Sequence, residues 1–111
     1  MGRAWGAAVD PRAVVPVERI DAPVVLTCGE LDLEWPSCSF GDDVTQRLDA
    51  HHFRHPVTVL RYADGGHLSG DIPPGAIYTS QTVAHYGGTV AAAQRSSVDA
   101  EAKILDLLGD R

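Results

Sequence analysis

The segment that most restricts the possible folds of this chain is the run Val24–Cys28, which reads VVLTC. It is rich in β-branched residues, carries apolar side chains at both alternating sets of positions, and is bounded by Pro23 and Gly29. Such a run predicts a β-strand that is buried on both faces, as in the middle of a parallel sheet. A fold that contains this strand must cover both of its faces and pair both of its edges.

A second strand and two helices are predicted downstream. Residues 57–62, VTVLRY, alternate between two sets of side chains, which is typical of a strand nearer a sheet edge. A helix is predicted from Ser37 or Ser39, either of which could cap it, to about His51. A last helix is predicted over residues 89–108. Its apolar stripe consists of Ala91, Val98, Ala102, Leu105 and Leu108.

The order strand, helix, strand, helix predicts an α/β fold with parallel strands. We expect residues 1–22 to be an irregular lead-in and residues 68–88 to be one long loop. Two strands alone cannot make a sheet that is covered on both faces, so residues 23–111 are expected to belong to a larger domain. The uncovered edges of the first strand predict poor solubility or self-association.

Charge and cysteine content argue against several classes of protein. The net charge of −6 and the pI of about 5.1 argue against a nucleic-acid partner, which would require a basic face. No apolar run approaches the roughly 20 residues that span a bilayer, so we expect no membrane association. Two cysteines are too few for a disulfide scaffold, so Cys28 is predicted to be a buried reduced thiol in a cytoplasmic protein.

Asp32 and His67 are the candidate catalytic residues, since each lies just beyond the carboxyl end of a predicted strand. That edge of an open α/β sheet is where sites form. In hydrolases with a nucleophile, an acid and a histidine in this chain order, the imidazole takes a proton while the carboxylate holds its other nitrogen. Gly65 and Gly66 would let the turn bring His67 over this edge. A turn aspartate and a surface histidine are the alternatives.

Other reactive side chains fit these roles less well. Cys38 is near a helix start, where the pKa of a thiol can fall, but both cysteines are in the wrong place for a nucleophile. Glu30 is a substitute for Asp32 as the acid. His51 and His55 have the spacing of two metal ligands on a helix, but a solvated helix end explains them better. We expect no metal ion and no cofactor.

A set of short motifs extends from Val15 to Leu108. They are Pro16–Ile20, Gly29 with Asp32, Trp35–Cys38, Pro56–Val57, Tyr62–Leu68, Gly87–Gly88 and Ala91–Gln94. The WPS and GG…AAAQ motifs are not general hydrolase features. Together the motifs resemble the C-terminal domain of the acyl-CoA thioester hydrolase and bile acid-CoA:amino acid N-acyltransferase family, particularly its bacterial members.

This resemblance implies the C-terminal part of an α/β-hydrolase catalytic domain, in a serine hydrolase-type enzyme that acts on acyl-CoA thioesters. In the family pattern the acid falls on Asp32 and the histidine on His67. The nucleophile, a serine in the thioesterases and a cysteine in the amino acid conjugating enzymes, belongs to an upstream elbow, and no G-x-S-x-G occurs in this sequence. The chain is therefore expected to be inactive alone and to act with the missing N-terminal part.

The loop around Asp32 departs from the family pattern, which commonly has two adjacent acids where this chain has Glu30-Leu31-Asp32. Trp35, in the same loop, is interpreted either as a packing residue or as a residue that contacts substrate. Hydrolysis and acyl transfer to an amino acid both remain open, because the nucleophile and the acceptor site are missing. The alternative hypothesis is a non-catalytic remnant or interaction module, in which Asp32 and His67 are idle.

Overall fold

A computed structural model describes residues 10–71 and 79–109, and this part of the chain is an α/β arrangement. Its elements are β1 (Val24–Gly29), α1 (Ser37–Ala50), β2 (Val57–Tyr62), α2 (Ser80–Tyr86) and α3 (Val90–Gly109). Two short 3-10 helices, Pro11–Ala13 and Val17–Arg19, lie in the predicted lead-in, of which residues 1–9 lie outside the described residues. The α/β class expected from the sequence is confirmed.

Strands β1 and β2 pair in parallel, so both point their carboxyl ends to the same edge. The register places Val24 opposite Val57 and Gly29 opposite Tyr62. One further backbone hydrogen bond joins Glu30 N–H to the Tyr62 carbonyl at 3.0 Å, just beyond the paired residues. The segments that follow the two strands therefore leave the sheet side by side.

The two longer helices cover opposite faces of this sheet. Successive side chains of a strand point to opposite faces. Arg61 of β2 forms an ion pair with Asp42 of α1 at 3.0 Å, whereas its neighbour Tyr62 donates its hydroxyl proton to Asp99 of α3 at 2.8 Å. Burial and the hydrogen bond to Asp99 raise the pKa of Tyr62, so the hydroxyl remains a donor at neutral pH.

Strand β1 is less buried than its sequence predicts. Val24, Val25 and Leu26 are only half-buried and Thr27 is exposed. Within the described part of the chain β1 pairs with a single neighbour, β2. The sequence predicts full burial of β1 inside a larger domain, and that stays a prediction. Self-association through the other edge of β1 stays a prediction.

Helix α2 lies inside the segment that was predicted to be a loop, so that prediction was wrong for Ser80–Tyr86. The side chain of Thr79 accepts a hydrogen bond from Thr82 N–H at 3.1 Å and caps the helix. In the sequence, Thr79 was the signal for the start of this helix, because threonine is a residue type that commonly caps helices. Residues 72–78 of the predicted loop lie outside the described residues.

Helix α3 has nearly the predicted bounds but buries another face. Val98, Leu105 and Leu108 of the predicted stripe are each more than half exposed. The buried residues are instead Ala92, Ala93, Ser96, Ser97 and Ala100. Small side chains let the segment after β2 approach closely, and Gly70 N–H donates to Ser96 Oγ at 3.1 Å. None of the helices described here combines the length and apolarity needed to cross a bilayer.

Cys28 and Cys38 form a disulfide, so the prediction of a reduced thiol was wrong. The segment between them folds back on itself and brings their Cα atoms to 5.0 Å, a separation that a disulfide requires. The cap predicted for α1 was also wrong, because Pro36 occupies that position. Ser37 Oγ instead hydrogen-bonds the N–H and the carbonyl of Gly29, both at 3.3 Å.

The carboxyl end of α1 is a Schellman motif. His52 N–H donates to the Asp49 carbonyl and Phe53 N–H donates to the Leu48 carbonyl, at 3.1 and 3.0 Å. His52 has φ 53°, in the left-handed region that favours glycine, whereas His51 just before it has φ −95°. One histidine is therefore conformationally strained and its neighbour is not.

We expect His52→Gly to raise the free energy of unfolding by about 0.5 to 1 kcal/mol. Relief of the left-handed conformation is worth roughly 1 to 2 kcal/mol, which exceeds the entropic cost of about 0.5 to 1 kcal/mol for a glycine. Urea denaturation followed by circular dichroism measures the change. The control His51→Gly should lower stability, and equal effects of the two variants would contradict the strain at His52.

Candidate functional site

Three segments meet at the carboxyl edge of the sheet. The acid loop, residues 30–36, follows β1, and the histidine turn, residues 63–71, follows β2. The glycine turn, Gly87–Gly88, follows α2. Hydrogen bonds and close backbone contacts join all three segments. Asp32 and His67, which lie 35 positions apart in the sequence, come together here.

Asp32 is buried and held through both carboxylate oxygens. Its Oδ1 accepts hydrogen bonds from the N–H groups of Glu34 at 2.8 Å and Trp35 at 3.1 Å, and its Oδ2 lies 3.1 Å from His67 Nδ1. The side chain is 2% exposed. Burial raises the pKa of Asp32, but the hydrogen bonds from Trp35, His67, Ser37 and Glu34 together outweigh burial and leave this pKa below its usual value. The carboxylate is therefore ionised at neutral pH.

His67 is fixed by its backbone and by two neighbouring rings. Trp35 and the imidazole form a T-shaped pair with ring centroids 4.8 Å apart, and the ring of Tyr86 lies 5.3 Å away. Because Nδ1 faces the Asp32 carboxylate, Nδ1 carries the hydrogen of the neutral ring and Nε2 is left to accept a proton. The side chain remains 25% exposed, so a reacting group can reach it.

The backbone carbonyl of Tyr86 joins the acid loop to the histidine turn, in addition to the direct hydrogen bond from Leu31 N–H to the Gly65 carbonyl at 2.8 Å. The Tyr86 carbonyl accepts hydrogen bonds from Leu33 N–H at 3.2 Å and from His67 N–H at 3.0 Å. Sequence reasoning missed this role, because the segment was predicted to be a loop. In the sequence, the pair of glycines after Tyr86 was the signal that the backbone makes a close contact here.

The glycine turn is packed too closely for side chains. Gly87 and Gly88 have φ of 92° and 73°, and a Cβ on Gly87 would lie 2.0 Å from the Leu31 carbonyl oxygen. A Cβ on Gly66 would lie 2.1 Å from the Gly87 carbonyl oxygen. Gly66, which precedes His67, thus lets the histidine turn approach the glycine turn. This close approach is a second reason for a glycine here, besides the backbone freedom that the sequence analysis expected.

The other candidates lie elsewhere or lack the required chemistry. Glu30 is placed near Arg61, with Oε1 3.5 Å from Nε, rather than against the imidazole. The two cysteines share a disulfide, so neither offers a thiol in this state. His55 Nε2 lies 2.8 Å from Asp21 Oδ1, at the opposite edge of the sheet. Over residues 10–71 and 79–109, no group of three or more potential ligands could hold a metal ion.

Comparison with known proteins gives a family for this arrangement. A sequence model of the family described as BAAT / Acyl-CoA thioester hydrolase C terminal matches residues 3–110. The chain belongs to this family. Members have the α/β-hydrolase fold, which agrees with the parallel strands and the layered helices described above.

Two mouse proteins are similar to part of this BAAT C-terminal chain. Acyl-coenzyme A thioesterase 1 and mitochondrial acyl-coenzyme A thioesterase 2, both from Mus musculus, are each 34% identical to it over 59 residues. The matched segment covers 53% of this chain but only 14% and 13% of those relatives. The similarity therefore concerns a small part of much longer proteins.

We expect Gly87→Ala to lower the free energy of unfolding by about 2 to 3 kcal/mol, because the new methyl group meets a backbone oxygen at a left-handed residue. Urea denaturation measures the loss. Gly41→Ala is the matched control, since Gly41 lies inside α1 with open space around its Cβ position. That variant should gain about 0.5 to 1 kcal/mol, and equal losses at both sites would contradict the close packing of the glycine turn.

The depressed pKa of Asp32 predicts an acid-sensitive fold. Because the unfolded state takes up the proton at higher pH than the folded state, the stabilisation is present above about pH 4 and is lost as the pH falls through the folded pKa. Unfolding free energies of wild type at pH 5, 4 and 3 should therefore decrease more steeply than those of Asp32→Asn. Asp49→Asn, on exposed α1 surface, controls for the loss of one charge. Parallel curves for wild type and Asp32→Asn would contradict the prediction.

Proposed function

We propose that this chain supplies the acid and the histidine of a catalytic triad in an acyl-CoA thioester hydrolase. The observation that carries the proposal is the 3.1 Å contact between Asp32 Oδ2 and His67 Nδ1, at the edge where α/β enzymes bind their ligands. Membership of the acyl-CoA thioester hydrolase family supports a thioester of coenzyme A as the substrate class. The nucleophile would come from an upstream segment of the same fold.

The proposed chemistry follows from the state of each group. The Asp32 carboxylate holds the hydrogen on Nδ1 of His67, so Nε2 can take the proton of the attacking serine or cysteine. The nucleophile bonds to the thioester carbonyl carbon, the bond to sulfur breaks, and His67 returns the proton to the departing thiolate of coenzyme A. In the second step His67 takes a proton from a water molecule, whose oxygen bonds to the acyl carbon. The bond from that carbon to the nucleophile then breaks, His67 returns the proton to the nucleophile, and the carboxylic acid leaves.

We propose that Trp35 is both a packing residue and a residue that contacts substrate. Its ring forms a T-shaped contact with the imidazole at a centroid separation of 4.8 Å and shields part of His67 from water. Because 45% of the residue is exposed, the rest of the indole is open to solvent next to His67, where it would contact the acyl chain or the pantetheine arm. The ring of Tyr86 also lies against the imidazole, at 5.3 Å.

The test is thioesterase activity in a protein that joins this chain to the upstream part of a related acyl-CoA thioesterase. We expect release of free coenzyme A from a medium-chain acyl-CoA by the joined protein and none by the isolated chain. His67→Ala and Asp32→Asn should each lower kcat by roughly 10²- to 10⁴-fold, the range for loss of general acid–base catalysis. His51→Ala, an exposed histidine at the end of α1, is the control and should leave kcat unchanged.

A well-folded joined protein without activity would reject the proposal and favour the non-catalytic interaction module. Addition of an amino acid acceptor separates the two possible reactions, because an N-acyl amino acid appears only if the enzyme transfers the acyl group. A loss of activity in His51→Ala equal to that in His67→Ala would point to general instability rather than to catalysis.

A further inference from the structure

The disulfide between Cys28 and Cys38 encloses the acid loop. Cys28 lies near the end of β1 and Cys38 lies in the first turn of α1, so the segment between them carries both Asp32 and Trp35. These two side chains contact His67 through a hydrogen bond and through ring packing. The disulfide therefore fixes both ends of the segment that orients the imidazole.

Apolar burial contributes little to the position of this loop. Leu31, Leu33 and Trp35 are 51%, 69% and 45% exposed. The hydrogen bonds between Ser37 Oγ and Gly29, at 3.3 Å, are longer than the usual range. The loop is held otherwise by the turn around Asp32 Oδ1, by backbone hydrogen bonds to the neighbouring turns and by the two cysteines. Both cysteines are buried, at 5% and 6% exposed.

We propose that Cys28 and Cys38 are positioning residues, whose disulfide sets the geometry of Asp32 against His67 and whose reduction loosens it. A closed loop has fewer accessible conformations than an open one, so its carboxylate stays in place at a smaller entropic cost. Misplacement of a catalytic group by about 1 Å can cost roughly 10²-fold in rate. The catalytic consequence rests on the proposed function, whereas the geometric claim concerns this chain alone.

The proposal makes the site sensitive to thiol reductants. A dithiol delivers two electrons and two protons to the disulfide, the sulfur–sulfur bond breaks, Cys28 and Cys38 become thiols, and the dithiol becomes a cyclic disulfide. Reducing compartments keep most cysteines as thiols, whereas oxidising ones preserve disulfides, so the proposal makes the geometry of the site depend on the redox environment.

The geometric claim is tested on this chain by NMR titration of the Asp32 carboxyl, with and without dithiothreitol. We expect reduction to move the pKa of Asp32 up toward its usual value of 3.8, and to weaken the resonance of the His67 Nδ1 hydrogen. Glu18, whose pKa is lowered to about 2 by Arg47 at the far edge of the sheet, is the internal control and should not change. The double variant Cys28→Ala/Cys38→Ala should give the same Asp32 titration as the reduced chain, and dithiothreitol should not change it.

An unchanged Asp32 titration in both the reduced chain and the double variant would overturn the proposal. Global unfolding of both, seen as collapsed amide dispersion, would also overturn it, because the bond would then maintain the whole fold rather than one loop. In the active joined protein, we expect the double variant to lower kcat about tenfold with little change in KM. If the oxidised protein has no activity, the proposed function fails, but the NMR result still decides the positioning role.

Discussion

Because β1 and β2 are parallel, the segments that follow them leave the sheet at one edge, and every contact of the candidate site depends on this. The register places Gly29 opposite Tyr62, so the acid loop and the histidine turn begin within hydrogen-bonding distance of each other. An antiparallel pair would send the two segments to opposite edges. The same pairing anchors Cys28 at the base of the acid loop, where the disulfide can act on it.

A third segment makes the arrangement rigid. Two loops that met only through the side chains of Asp32 and His67 could separate by rotation of either side chain. Backbone contacts prevent this. The Tyr86 carbonyl accepts a hydrogen bond from each loop, Leu31 N–H donates directly to the Gly65 carbonyl, and the glycine turn packs against both loops. Hydrogen-bonded networks of this kind reinforce one another in a partly buried environment. The pair of adjacent glycines, Gly87 and Gly88, thus has a steric reason in this chain.

The strand bounds and the residues at the strand ends could be predicted from the sequence, because hydrophobic periodicity and chain order are local or topological properties. The disulfide could not, since Cys28 and Cys38 meet only after the acid loop folds back. The buried face of α3 was missed for a related reason: it packs through small residues such as Ala93 and Ser96 against the histidine turn, while Leu105 remains exposed. Both of these failures concern contacts that form only when separate segments of the chain come together in the fold.

The two carboxylate oxygens of Asp32 have different partners, and this difference bears on whether Asp32 only shapes a turn or also serves as the proposed catalytic acid. The Oδ1 bonds to Glu34 N–H and Trp35 N–H are those of an ordinary Asx turn and would shape the loop without any histidine. Oδ2 takes no part in that turn and points instead at His67 Nδ1. A carboxylate that is 2% exposed is costly to keep ionised unless several donors stabilise it, and here they lower its pKa despite burial. A residue that only shaped the loop would not require the second oxygen to be buried against an imidazole, and this favours the catalytic role.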